Sequence, residues 1–436
     1  MTTTESYAAR NNTPFLSSPF RGLSENNHLS LFLILALGVV SMMDSMIVGS
    51  LLTPIKAEFG FSDEQLGRLS SLFTIAGIIG APVFGYFSNR YSRKAVLLTG
   101  VLIWSIASLS TGTATGFLGL VSWRIATGFG EAAYNSIAPS WLADLYRPRW
   151  RNLVFSLYMI KNKIGTAAAL ALALGGWVAA EYGWRTAFFV AGVPGILLAV
   201  ALSLTREPSI GATDEPATSE GKSHPTGKLS IRESLAVFRH PAYVLHLIAL
   251  FFFYTAMTVQ IWIPAFIHRT YDIPNKAASG FLAQTLLFTL PAGLVGGYLS
   301  SLLLQRYRWG FPAFLASTSV LAAAAFFQAY ATSDFETAKL FIIIGTATFG
   351  FSAGTLTTLV VETVPAYLRS SATAISIVLT SGLAGIVSPE LVGFLSDAYS
   401  LQTAIFVGPI SYLIAGFVWV IFALLAKRRT NETSNT

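Results

Sequence analysis

The sequence predicts an all-α integral membrane protein in which twelve spanning helices form two six-helix bundles. Three observations carry that prediction. Hydrophobic residues fill 53% of the 436 positions and charged residues only 11%, against roughly 25% charge in an ordinary soluble chain. Apolar runs of about 18 residues or more recur along the whole chain, each long enough to cross a hydrocarbon layer about 30 Å thick. A polar break near the middle divides six such runs from six more, and parts of the first half recur in the second.

Breaks at Gly, Pro and charge clusters place the spans near 29–52, 66–88, 95–114, 117–143, 152–179, 185–205, 241–267, 278–304, 311–331, 338–361, 370–395 and 402–426. Their apolar residues are spread all round, and backbone facing lipid must close its own hydrogen bonds, so they read as helices and not as alternating barrel strands. The expected organisation is a tail over 1–28, a bundle over 29–205, a linker over 206–240, a bundle over 241–426 and a tail over 427–436. Ser, Thr, Pro and charge fill the linker, which reads as flexible.

The repeat has an offset near 217. "YGWRTAFFV" at 182–190 answers "YSLQTAIFV" at 399–407, and Gly176 answers Gly393 by the same shift. Asp144 and Arg151 recur with equal spacing as Glu362 and Arg369, and "GYFS" at 85–88 recurs as "GYLS" at 297–300. Agreement on nearly one register points to duplication of a six-helix half.

Alternate loops differ in charge. One side of the membrane holds 19 of the 28 Lys and Arg residues and the other 6, with Arg124, Lys161 and Lys163 inside spans. Positive loops stay in the cytoplasm, so both termini are expected there, in a plasma or inner membrane. The net charge of +7 then follows from this bias and from anionic lipid head groups, and nucleic acid is not needed to explain it. Residues 1–28 are polar and carry no secretory signal pattern. The absence of Cys excludes disulfides, thiolate metal sites and Cys lipidation.

Charges inside the spans are the candidate site. In "WRIATGFGEAAYNSIAP" (123–139), Arg124 and Glu131 are seven apart, two turns on one helix face and about 10 Å along it. A charge at mid-bilayer costs at least about 2.5–3.5 kcal/mol, so this face is expected to look onto a watery cavity. Asp44 lies at similar depth in span one. Such carboxyls exchange protons within physiological reach when burial opposes a neighbouring cation, and one proton crossing 100 mV supplies about 2.3 kcal/mol. Asp44 and Glu131 are therefore expected as proton carriers. Arg124, Lys161 and Tyr134 are expected to hold a head group or pair charge. Lys161 and Lys163 point opposite ways on a helix, with Lys161 favoured for the cavity. The small residues Gly128, Gly130, Ala132 and Ala133 also suit close helix packing. In the second half almost no span charge remains, and Phe252, Tyr254 and Trp262 are expected as an apolar cavity wall among Phe251, Phe253, Gln260 and Gln284.

"GYFSNRYSRK" (85–94) resembles the loop signature of the major facilitator superfamily, except that Asn89 stands where that family usually has Asp. The resemblance implies the major facilitator fold, a monomer, and a cytoplasmic gate built from Gly85, Asn89, Arg90, Arg93, Asp144, Arg151, Glu362 and Arg369. Arg124, Gly128, Gly130, Glu131, Ala132, Tyr134, Ile137, Ala138, Pro139, Ala143, Asp144 and Leu145 stand in a pattern similar to the spinster group of lipid transporters. "APVFGY" (81–86), Asp44 in "MMDSMIVG" and "SPELVGFLSD" (388–397) extend the likeness across both halves. Ser45 departs from the Arg common after that acid, and "YMIKNKIGTAA" departs from a Pro-Gly-rich turn. The resemblance implies a proton-coupled transporter of an amphipathic lipid, a lysophospholipid or sphingoid, among membrane lipids and without a cofactor. The alternatives are a proton-coupled carrier of a small organic anion or drug, and an intramembrane hydrolase using "GFSAG" (350–354). Five scattered His, with no metal spacing and no Walker loop, point away from metal catalysis and ATP-driven pumping.

Overall fold

The computed structural model describes residues 25–146, 154, 165–209, 235–307, 309–365 and 368–434. Lys161, Lys163, Arg151 and most of the expected linker and amino-terminal tail lie outside the described residues. The first half contains α1 (Glu25–Phe59), α2 (Asp63–Ser88), α3 (Arg93–Thr111), α4 (Phe117–Leu145), α5 (Gly165–Tyr182) and α6 (Trp184–Ser203).

The second half opens with a 3-10 turn at Leu235–Arg239. There α7 (Pro241–Val259) passes through a 3-10 turn at Gln260–Trp262 into α8 (Ile263–Tyr271), and α9 (Asn275–Leu287) is followed by α10 (Thr289–Arg306). Next come α11 (Gly310–Ala331), α12 (Phe335–Glu362), and α13 (Arg369–Ile377) joined by a π turn at Val378–Gly382 to α14 (Leu383–Ala398). The short α15 (Leu401–Ala404) leads into α16 (Val407–Ser434). Among the described residues ten helical runs are long and apolar enough to cross a membrane, and Ala168–Tyr182 is a shorter apolar helix. With α4, whose middle carries two charges, they form the twelve crossings.

Several helices begin or end beyond their apolar runs, because polar caps extend them. Ser62 accepts from the Gln65 N–H at 3.1 Å while the Gln65 side chain accepts from the Ser62 N–H at 3.0 Å, a reciprocal cap that starts α2 three residues before the expected 66. Asp334 caps α12 by accepting from the Thr337 N–H at 2.8 Å. Hydropathy does not register such residues.

The halves pack alike: α2 lies on α4, α4 on α3 and α3 on α6, as α10 lies on α12, α12 on α11 and α11 on α16. Glycines set the separations. A Cβ on Gly128 would stand 2.2 Å from the Phe73 carbonyl oxygen, and one on Gly296 would stand 2.2 Å from that of Phe351. The halves join chiefly along two helix pairs, α2 with α14 and α5 with α9. Gly393 is pressed on the Asp63 carbonyl, 2.3 Å from its would-be Cβ, and Gly176 on the Ser279 Cβ at 2.9 Å. The glycine pair read from the repeat thus sits at both inter-half contacts, where missing side chains let helices approach closely.

Candidate functional site

Asp44 on α1, Arg124 and Glu131 on α4, and Ser108 on α3 meet inside the first half. An Arg124 Nη1 lies 3.8 Å from an Asp44 oxygen, and the Ser108 hydroxyl donates to the same oxygen at 2.7 Å. Arg124 also lies over the Phe73 ring, 4.4 Å from its centroid. The Ser45 hydroxyl stands 3.1 and 3.4 Å from the two Glu131 oxygens and 2.9 Å from the Ser41 carbonyl. Asp44 is 0% exposed, Arg124 2% and Glu131 5%.

The expected watery cavity beside these charges is therefore not what surrounds them. Each is covered by the others, by Ser hydroxyls and by an aromatic ring. The cover leaves polar atoms over: Asp44 Oδ2 and Arg124 Nε and Nη1 make no hydrogen bond. Among the described residues two carboxylates stand against one guanidinium, which leaves a surplus negative charge unless the cluster holds a proton.

A cavity of about 250 Å³ lies between the halves. Met42 and Met46 of α1 and Leu172 of α5 line it from the first half, and Tyr254, Gln260 and Phe349 from the second. Among the described residues no charged side chain is in its lining. Of the three residues expected as its apolar wall, Tyr254 lines it. Trp262 is instead fully buried in the core, and Phe252 packs against that core with its ring 5.4 Å from that of Phe251. Gln284 is exposed.

The cavity methionines were missed by the sequence reading, although three of the chain's six Met residues are among them: Met42, Met46 and Met257. Their clustering in spans one and seven was the available signal, since flexible thioethers suit adaptable apolar sites.

Tyr134 is not a head-group residue in this arrangement. Its hydroxyl donates to the Ile34 carbonyl at 2.9 Å, its ring meets Trp104 edge-on at 6.4 Å, and its side chain has no exposed surface. It ties α4 to α1.

At the end where α6 and α7 face the linker, the expected gate residues behave differently from one another. Arg93 pairs with Asp144 at 2.5 Å and donates to the Pro208 carbonyl at 2.9 Å, while Lys94 donates to the Ser203 and Thr205 carbonyls at the end of α6. These basic side chains fasten helix ends. Asn89 is an exposed C-cap of α2, and the Arg90 guanidinium lies 4.7 Å from the Tyr86 ring centroid. Gly85 has nothing within 4 Å of a would-be Cβ, so no neighbour packs closely on it in this state. Glu362 and Arg369 are exposed.

The opposite, far end carries a charged lock, three members of which, Glu390, Ser396 and Asp397, stand in "SPELVGFLSD" (388–397) without their partners being apparent. Asp63, 2% exposed, receives Lys56 at 2.6 Å, Arg269 of α8 at 2.5 and 2.8 Å, and Ser396 of α14 at 2.5 Å. Asp397 of α14 accepts from the Asp63 and Glu64 N–H groups at 2.9 and 2.7 Å, capping α2 from the other half. Arg68 pairs with Glu390 at 2.9 Å, and Lys276 with Glu181 at 2.6 Å. Apart from Lys56, seven positions from Asp63, these partners lie 95 to 334 positions apart and leave no local pattern to read.

Ser352 of "GFSAG" lies buried within α12 at 2.8 Å from the Thr318 hydroxyl. A helical, packed serine lacks the strand-to-helix elbow of a hydrolase nucleophile.

The sequence pattern of the Major Facilitator Superfamily matches residues 34–389. Spinster homolog 1 of Mus musculus is 28% identical over 401 residues, covering 86% of this chain and 74% of that protein. Protein spinster of Drosophila melanogaster is 26% identical over 375 residues, covering 83% of this chain and 60% of that one. A bacterial homologue of the human lysosomal transporter spinster, crystallised inward-facing and unoccupied, superposes with a TM-score of 0.79 at 21% identity, over 93% of this chain and 98% of that one. A D-xylose-proton symporter gives 0.65 at 18% identity, over 92% and 97%. The chain thus belongs to the Major Facilitator Superfamily, as a membrane transporter similar to the spinster proteins and not as an enzyme.

Proposed function

We propose that the chain is a proton-coupled secondary transporter of an amphipathic lipid, of the lysophospholipid or sphingoid type, working by alternating access. The observation that carries this reading is one short stretch of α1: Met42 and Met46 line the cavity, while Asp44 and Ser45, between them, contact the ionic cluster. A change of protonation in the cluster therefore acts on the helix that forms the cavity wall.

Arg124 stays cationic, so one proton shared by Asp44 and Glu131 makes the cluster neutral, and an unpaired buried charge is strongly disfavoured. Ser45 fits both forms. With Glu131 ionised, its hydroxyl donates to the carboxylate. With Glu131 protonated, the acid donates to Ser45, which donates to the Ser41 carbonyl. The methionine-lined cavity suits a flexible alkyl chain.

The linker end, with its excess of Lys and Arg, is the cytoplasmic end in this reading, which puts both termini in the cytoplasm of a plasma or inner membrane. The locked far end then makes the structure an inward-facing state, as in the bacterial spinster homologue. Human spinster is a lysosomal transporter, so the residence of this chain is a separate question from its topology. The modest cavity volume favours a second reading, a small organic anion or drug, although the uncharged lining fits a neutral molecule better than an anion.

The test is uptake of a fluorescent lysophospholipid into liposomes holding the purified chain, with and without an inward proton gradient. Gradient-driven uptake is expected in the wild type and lost in Asp44→Asn and Glu131→Gln. Uptake of a small organic anion in its place, or uptake indifferent to the gradient, overturns the proposal.

A further inference from the structure

We infer that Gln260 is the head-group donor of the cavity, recognising a neutral oxygen next to the substrate's alkyl chain. This inference rests on the cavity being the lipid site. Gln260 sits at the 3-10 turn where α7 passes into α8, lines the cavity, is 8% exposed, and its Nε2 has no hydrogen-bond partner. A buried amide donor left unpaired is costly, and one that faces a cavity gains by bonding an acceptor on a molecule bound there. Tyr412 on α16 is a protein group in reach of this amide, through a contact too loose to count as a close hydrogen bond, so a bound oxygen can take the amide proton in its place.

The neighbouring polar groups complete the chemistry. Thr258 donates its hydroxyl proton to the Tyr254 carbonyl at 2.8 Å, and Thr289 donates its own to the Leu286 carbonyl at 2.6 Å. Both line the cavity, and both have their protons committed, so towards the cavity they offer acceptor lone pairs. The Gln260 amide and the Tyr254 hydroxyl as donors, beside these acceptors, match a hydroxyl or an ester oxygen with a neighbouring hydroxyl. Among the described residues the lining holds no counter-charge for a phosphate or ammonium. Arg124, the cation expected to hold a head group, is sequestered with Asp44 and Phe73. The described lining therefore reads the uncharged oxygens between head group and chain.

The experiment compares two lipids of equal chain length and identical phosphocholine charge: lysophosphatidylcholine, which carries a glycerol hydroxyl and an ester, and an alkylphosphocholine, which carries neither. The wild type in liposomes is expected to prefer lysophosphatidylcholine by about tenfold in kcat/KM, the usual weight of a well-placed hydrogen bond. Gln260→Ala should raise KM for lysophosphatidylcholine by about that factor and leave the alkylphosphocholine unchanged. Gln260→Glu, which replaces the donor amide, should do the same. Retained alkylphosphocholine transport shows that each variant is folded. A preference ratio unchanged in both variants, or equal losses for both lipids, overturns the inference while the transport reading stands. A wild type that moves neither lipid overturns both.

Discussion

Asp63→Asn removes the charge at the centre of the far-end lock. Breaking a buried ion pair by neutralising one partner typically costs about 3–5 kcal/mol. Here the cations are partly wet, with the Lys56 side chain 34% exposed and that of Arg269 26%, so water recovers part of the loss and about 2 kcal/mol remains. That penalty falls on the state with the far end closed, because the Arg269 and Ser396 contacts of Asp63 cross between the halves. A shift of about 2 kcal/mol changes a two-state ratio roughly thirtyfold. The chain has no Cys, so Thr113→Cys and Ser333→Cys label the far-end loops of the two halves without background. Pulsed electron spin resonance between labels at those sites should show a single short separation in the parent and an added longer one in Asp63→Asn. Asp63→Glu should recover most of the short population. Identical distance distributions in all three proteins would refute the idea that this lock sets the resting state.

Other outcomes follow from the same geometry. Gly128→Ala drives a methyl into the Phe73 carbonyl and should cost about 1–3 kcal/mol by overpacking, read as a lowered melting temperature in detergent, whereas Gly85→Ala should melt with the parent. Arg93→Ala removes the guanidinium that bonds Asp144 and the Pro208 carbonyl and should destabilise by about 3 kcal/mol; a melt indistinguishable from the parent would mean that these bonds do not hold the helix ends. Ser45→Ala takes away the hydroxyl that bonds Glu131 in both protonation states, and should displace the pH dependence of lipid uptake while sparing exchange of substrate at equal pH.

Much of this architecture was legible because lipid makes the rule simple. Long apolar runs gave the crossings, and the repeat gave the two halves, down to Gly176 and Gly393 at equivalent contacts. Asp44, Arg124 and Glu131 stood out because charge is rare in such spans, and they do meet. Their surroundings were not legible, since whether a charged helix face meets water or a neighbouring helix depends on packing that spacing does not encode. Tyr134 shows the same limit: its motif position drew a functional reading, but its hydroxyl is spent on the Ile34 carbonyl. The far-end lock was invisible because Asp63, Arg269 and Asp397 come together only after the halves dock. Gln260 was noticed as a polar residue in an aromatic run, but its unpaired amide is a property of the folded cavity alone.

Paired fluxes test the central claim most directly: proton entry by an internal pH dye and lipid entry by fluorescence, recorded in the same liposomes. If the cluster carries a single exchangeable proton, the two fluxes should run at about one to one, and the double variant Asp44→Asn, Glu131→Gln should keep lipid exchange while losing all response to the gradient. Gradient-driven lipid accumulation by that double variant would contradict the account.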